Sequence, residues 1–138
     1  MEIVLNKCFG GFSLSAKAIK KYLELEGKEC YFYEQSKYSF RDKKDEYSIT
    51  NEKSNAIFLE CSTKYLGEKV DIIPKEYSFY HRDIERTDTN LIKVVKELGS
   101  EANGSYANLE IVDIPNNVNW EMHDYDGIET VHEVHRSW

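Results

Sequence analysis

The chain opens on an apolar, β-branched run: residues 2–8, with Ile3, Val4 and Leu5 in succession, read as a buried strand. Leu14, Ala18, Ile19, Tyr22, Leu23 and Leu25 then recur at mostly three- and four-residue spacings, the stripe of an amphipathic helix that Gly27 can end. Residues 29–34 predict a short strand, expected beside the first. Residues 35–54 are polar and poorly periodic and read as a variable surface loop or insertion, in which Tyr38, Phe40 and Tyr47 offer the means to pack or to form a hairpin. Strands are predicted over 55–61 and 69–73, the latter ended by Pro74. A second helix is carried by Leu91, Ile92, Val94, Val95 and Leu98, with Asp88 or Thr89 as cap and Gly99 as stop. Residues 109–114 predict a strand ended by Pro115, and residues 118–122 alternate as its hairpin partner. Residues 128–138 repeat apolar side chains at helical spacing. The fold class that follows is α+β: a single compact domain with a mainly antiparallel or mixed sheet and two to three helices.

Composition changes this picture little. At 138 residues, 41% apolar and 31% charged, the chain is long enough to bury a core without staples. A formal charge of −7 argues against duplex nucleic acid as a partner, since counterion release needs a basic face; a small anion still responds to a local arginine pair. Cys8, Cys30 and Cys61 fit neither a disulfide framework nor paired zinc spacing, and read as reduced, buried thiols. No apolar run is long enough for a membrane span and no signal peptide precedes the first strand, so a cytoplasmic protein is expected.

Two stretches carry candidate chemistry. Between the first strand and helix, Gly10 and Gly11 allow a sharp turn, and Ser13 or Ser15 can cap the helix. Its positively polarised start is a place for a phosphate, with Phe9 and Phe12 as an apolar floor for a base or sugar. The turn is neither a phosphate loop nor a dinucleotide fingerprint. The second stretch holds Arg82 and Arg86, two of the four arginines, with His81 just upstream and Asn90 at the helix start. An arginine fork fits phosphate oxygens, yet Asp83, Glu85 and Asp88 stand ready to satisfy both as surface ion pairs. Near the end, His132, Glu133 and His135 approach a zinc-protease pattern but fall one residue short of it. A helix edge of hydrogen-bonded imidazoles is the plainer reading, and no metal or cofactor is called for.

Taken together, residues 6–15, 86–88, 94–99, 109–115, 125–129 and 135–138 resemble a widespread family of small phage and prophage proteins, over most of the chain except about 35–75. Among them the chain is most similar to the phage anti-defence nucleotide sponges, such as those acting against Thoeris defence. That resemblance implies a non-enzymatic homo-oligomer in the host cytoplasm that sequesters a small anionic nucleotide, a cyclic ADP-ribose isomer or cyclic oligonucleotide, without cleaving it. Phe9, Gly10, Gly11, Phe12 and Ser13 would shape one wall, Arg82 and Arg86 would meet phosphates, and His81 and Asn90 would read sugar or base. Arg136 and Trp138 would close the pocket. Arg86→Ala is then expected to abolish binding with little loss of stability. The alternatives are a small phosphodiesterase built on His132, Glu133 and His135, and a protein-interaction inhibitor of a host defence factor.

Overall fold

The computed structural model describes residues 1–38, 45–54 and 59–134. Among these the chain is α+β, with nine strands paired antiparallel and two α-helices, so the predicted class is the observed one. The chain gathers into two compact units, Met1–Tyr22 with His81–Trp138, and Leu23–Tyr80. No helix among the described residues is long and apolar enough to cross a membrane.

In the first unit, β1 (Glu2–Asn6) pairs antiparallel with β7 (Leu109–Asp113), Glu2 opposite Asp113 and Asn6 opposite Leu109. The apolar start of the sequence accounts for this: Ile3, Val4 and Leu5 are all buried, and α2 (Thr89–Leu98) packs on the pair through Leu91, Val94 and Val95. Asp88 caps α2 as its side chain predicts, accepting from the Asn90 and Leu91 amides at 2.9 and 3.0 Å. Gly99 ends the helix at φ 57°. Helix α1 (Ala16–Leu25) begins where the serines suggested: Ser15 Oγ accepts from the Ala18 amide at 3.1 Å. Gly27, at φ 73°, follows its last turn.

The second unit holds β2 (Tyr31–Tyr38), β3 (Asp45–Thr50), β4 (Leu59–Ser62), β5 (Lys69–Val70) and β6 (Ser78–Phe79) in the sheet order β5-β3-β2-β4-β6. Two expectations are corrected here. The strand after the first helix belongs to this sheet, whereas β1 pairs with β7. Much of the polar 35–54 stretch is not loop: β2 runs on to Tyr38 and pairs with β3, with a bulge between Gln35 and Lys37, so the hairpin option was the right one. Polar composition misled because residues 46–50 of β3 are all half-buried, so no apolar alternation marks the strand. Phe40 and residues 55–58 of the predicted strand lie outside the described residues.

The largest departure is at the carboxyl end. Residues 118–122 do not return on β7, and 128–133 are not helical. Instead β8 (Trp120–Tyr125) and β9 (Ile128–Glu133) form a two-stranded hairpin from Trp120 opposite Glu133 to Tyr125 opposite Ile128. Its turn residues, Asp126 at φ 49° and Gly127 at φ 93°, are both left-handed, the conformation that a tight two-residue hairpin requires.

Candidate functional site

The hairpin is tied by its tip to the end of β1. Asn6, completely buried, donates its side-chain amide to the Gly127 carbonyl at 2.6 Å and to the Cys8 carbonyl at 2.7 Å. Its side-chain oxygen accepts from the Asn108 amide at 2.9 Å. The Asn6 backbone amide donates to Glu129 Oε1 at 2.8 Å, Lys7 Nζ donates to the Glu129 carbonyl at 2.9 Å, and the Gly10 amide donates to the Asp126 carbonyl at 3.2 Å. One buried asparagine therefore joins three segments that lie far apart in the chain.

Glu129 is only 2% exposed, and a carboxylate at that depth needs a partner. Arg86 supplies it in fork-to-fork geometry, Nη1 to Oε1 and Nη2 to Oε2, the second at 2.8 Å. The same guanidinium lies over the Phe12 ring, its carbon 3.6 Å from the ring centroid. His81 packs on the same phenylalanine at 6.2 Å between ring centroids. Burial, then the charges of Arg82 and Arg86, hold its pKa below the usual histidine value, so His81 is neutral at neutral pH.

Around this network opens a cleft of about 490 Å³ lined by Gly10, Gly11, Phe12, Arg82, Arg86, Asp124, Asp126, Gly127 and Glu129. The glycine bend and the two arginines thus meet in one hollow, as their sequence pattern suggested. Glycine is required on both sides of the approach. A Cβ on Gly127 would come within 2.7 Å of the Gly10 nitrogen, and one on Gly10 within 2.8 Å of Tyr106 Cβ.

Several expected roles change. Phe12 is 4% exposed and its ring face is taken by Arg86, so it is a support under the arginine and not an open floor for a base. The bend is separated from the α1 start, and the Gly10 amide already donates to the hairpin turn; helix polarity therefore plays no part at the bend. Ser13 faces Gly104 and accepts its amide at 2.9 Å through the backbone. Asn90 sits in the first turn of α2, its amide held by Asp88, and is not in the lining. Phe9 is 60% exposed beside the bend. Arg86 pairs with Glu129 from across the chain and not with the sequence-adjacent acids, of which Asp88 is engaged as the helix cap and by the Tyr22 hydroxyl at 3.1 Å. Arg82, exposed on the 3-10 turn His81–Asp83, makes no hydrogen bond or ion pair among the described residues, and its guanidinium nitrogen lies 3.9 Å from where a Gly11 Cβ would stand.

Arg136, Trp138 and His135 lie outside the described residues. His132 and Glu133 are neighbours on a strand and so point to opposite faces, which separates the pair that a hydrolytic centre there would use together. His132 instead stacks on His123, ring centroids 4.3 Å apart, and its Nε2 is 2.8 Å from Thr130 Oγ1. No cluster of three or more histidine, cysteine or acidic groups suited to a metal occurs among the described residues. Asp124, Asp126 and Gly127 are lining residues that the sequence did not single out. Asp126-Gly127, a strong two-residue hairpin signal, was the available clue.

No protein family, curated protein or solved structure matches this chain.

Proposed function

We propose that the chain is a binding protein that captures a small ribose-bearing nucleotide and holds it uncleaved, as the phage anti-defence sponges that its sequence resembles do. The observation that carries this reading is Arg82, a guanidinium with no ion pair among the described residues, standing at the glycine bend inside a cleft of ligand size. Charge refines the guest. Glu129 neutralises Arg86, leaving Arg82 in a lining that also holds the carboxylates of Asp124 and Asp126. Such a lining suits one phosphate group attached to hydroxyl or amino donors, which the aspartates accept, better than free polyphosphate.

Capture is favoured over turnover because the most buried carboxylate of the lining is locked onto Arg86 and so is not available as a base. In an infected cell such a protein would act in the cytoplasm, with a second copy of the chain covering the open cleft. Calorimetry with a cyclic ADP-ribose isomer and with a cyclic dinucleotide tests the reading, followed by heat denaturation and mass analysis of what is released. Binding and recovery of intact ligand are expected. Arg82→Ala should weaken binding roughly 10- to 150-fold through loss of a charge-assisted hydrogen bond. Linearised product would replace capture by hydrolysis. Absence of binding by both probes would leave an interaction with a host protein as the better account.

A further inference from the structure

A residue packed against the glycine bend holds a left-handed backbone at the third position of a tight turn, which the Ala107 amide closes on the Gly104 carbonyl at 3.2 Å. Tyr106 has φ 62°, a conformation costly for a bulky side chain, yet its ring is 81% exposed and contributes to no core. That turn sets the side chain against Gly10, which lines the cleft. Tyr106 Cβ lies 2.8 Å and its Cγ 3.7 Å from the position that a Cβ on Gly10 would take, so only a glycine at position 10 lets the ring sit there. Among the described residues its hydroxyl makes no hydrogen bond. Two further exposed aromatic residues are sequence neighbours of lining residues: Phe9, 60% exposed, precedes Gly10, and Tyr125, 74% exposed, lies between Asp124 and Asp126. An exposed aromatic ring packed beside a residue that lines a polar cleft, on a left-handed backbone, matches a planar ring on the guest.

We propose that Tyr106 is a stacking platform for the nucleobase of the ligand, and that the cleft therefore takes a nucleoside phosphate with an accessible base face in preference to a sugar phosphate. This rests on the nucleotide-binding reading above and adds the base to it. The base would lie on the Tyr106 face beside Gly10, with the phosphate towards Arg82 and the ribose hydroxyls towards Asp124 and Asp126. Stacking on an aromatic side chain tolerates any base and contributes substantially to nucleotide affinity.

The test uses two probes, AMP and ribose 5-phosphate, against wild type, Tyr106→Gly, Tyr106→Phe and Arg82→Ala, with affinities from calorimetry and Tm for each variant. Tyr106→Gly removes the ring and relieves the left-handed strain, so its Tm should be unchanged or higher. Its AMP affinity should fall roughly tenfold or more while its ribose 5-phosphate affinity stays within about twofold. Tyr106→Phe should keep AMP binding, and Arg82→Ala should lose both probes. Unaltered AMP binding by Tyr106→Gly, or equal wild-type affinity for the two probes, would overturn the stacking role and leave the phosphate site standing. Wild type binding neither probe would overturn the site reading together with this inference.

Discussion

Arg86 illustrates how a residue chosen for one role serves another. Its guanidinium is held on one edge by the Glu129 carboxylate and on one face by Phe12, and it is the partner that makes a 2% exposed carboxylate tolerable. Removing it would strand that charge. Arg86→Ala is therefore expected to destabilise the protein by about 3–5 kcal/mol in urea denaturation, in place of the small loss suggested by the sequence alone. Arg82→Ala, an exposed change, should stay within about 0.5 kcal/mol of wild type. Comparing the two separates the arginine that supports the fold from the exposed one at the cleft. His81 provides a second check at this scale. Its pKa is lowered in the folded state, by burial first and then by Arg82 and Arg86. The unfolded chain therefore takes up the proton first as pH falls below about 6.5, and stability should be full above that value and decline below it. A His81→Gln variant should show a shallower fall in Tm between pH 7 and 5 than wild type; identical slopes would show that His81 contributes nothing to acid sensitivity.

At the scale of elements, what could be read from the sequence depended on whether one local signal dominated. Strand β1 and helix α2 were legible because burial, periodicity and caps agree: Ile3, Val4 and Leu5 on one side, Asp88, Leu91, Val94, Val95 and Gly99 on the other. The β8–β9 hairpin was not, because Ile128, Val131 and Val134 also satisfy helical spacing and the hairpin is mostly solvent-facing, so alternation is blurred by Met122 and Tyr125 on its exposed positions. The deciding information was local turn chemistry, Asp126 and Gly127 both at positive φ. The same turn makes a prediction. Gly127→Ala imposes a side chain at φ 93° and drives it into the backbone of residues 10 and 11, so a loss of about 2–5 kcal/mol is expected. Gly27→Ala has open space around it at φ 73° and should cost only about 1–2 kcal/mol. Equal losses in chemical denaturation would mean that the hairpin tip does not approach the bend. In the second unit, Cys30 and Cys61 bring their sulfurs to 3.5 Å, and this contact together with burial raises the Cys61 thiol pKa. Native protein treated with iodoacetamide at pH 8 should leave Cys61 unmodified while unfolded chain takes up label there, as peptide mass analysis would report.

At the scale of the molecule, the cleft is assembled from segments around residues 10–12, 82–86 and 124–129, all within the first unit. No short motif could have announced it, since the arginines, the glycine bend and the aspartates are brought together by Asn6 and Glu129, whose buried hydrogen bonds leave no periodic trace in the sequence. The glycines and arginines were legible as residue types suited to phosphate, but the carboxylates that temper their charge were not, because they arrive on a hairpin read as something else. A site of this construction responds as a whole when filled, for the hairpin segment is hydrogen-bonded to both of the others and Arg86 lies on Phe12. Hydrogen exchange with and without a saturating cyclic ADP-ribose isomer should therefore show slowed amides in all three segments together and little change in Leu23–Tyr80. A ligand at 100 times its dissociation constant should add about 2.7 kcal/mol to global stability. Protection confined to one segment, or appearing mainly in the five-stranded sheet, would place the ligand elsewhere and return the Arg86–Glu129 network to a purely architectural role.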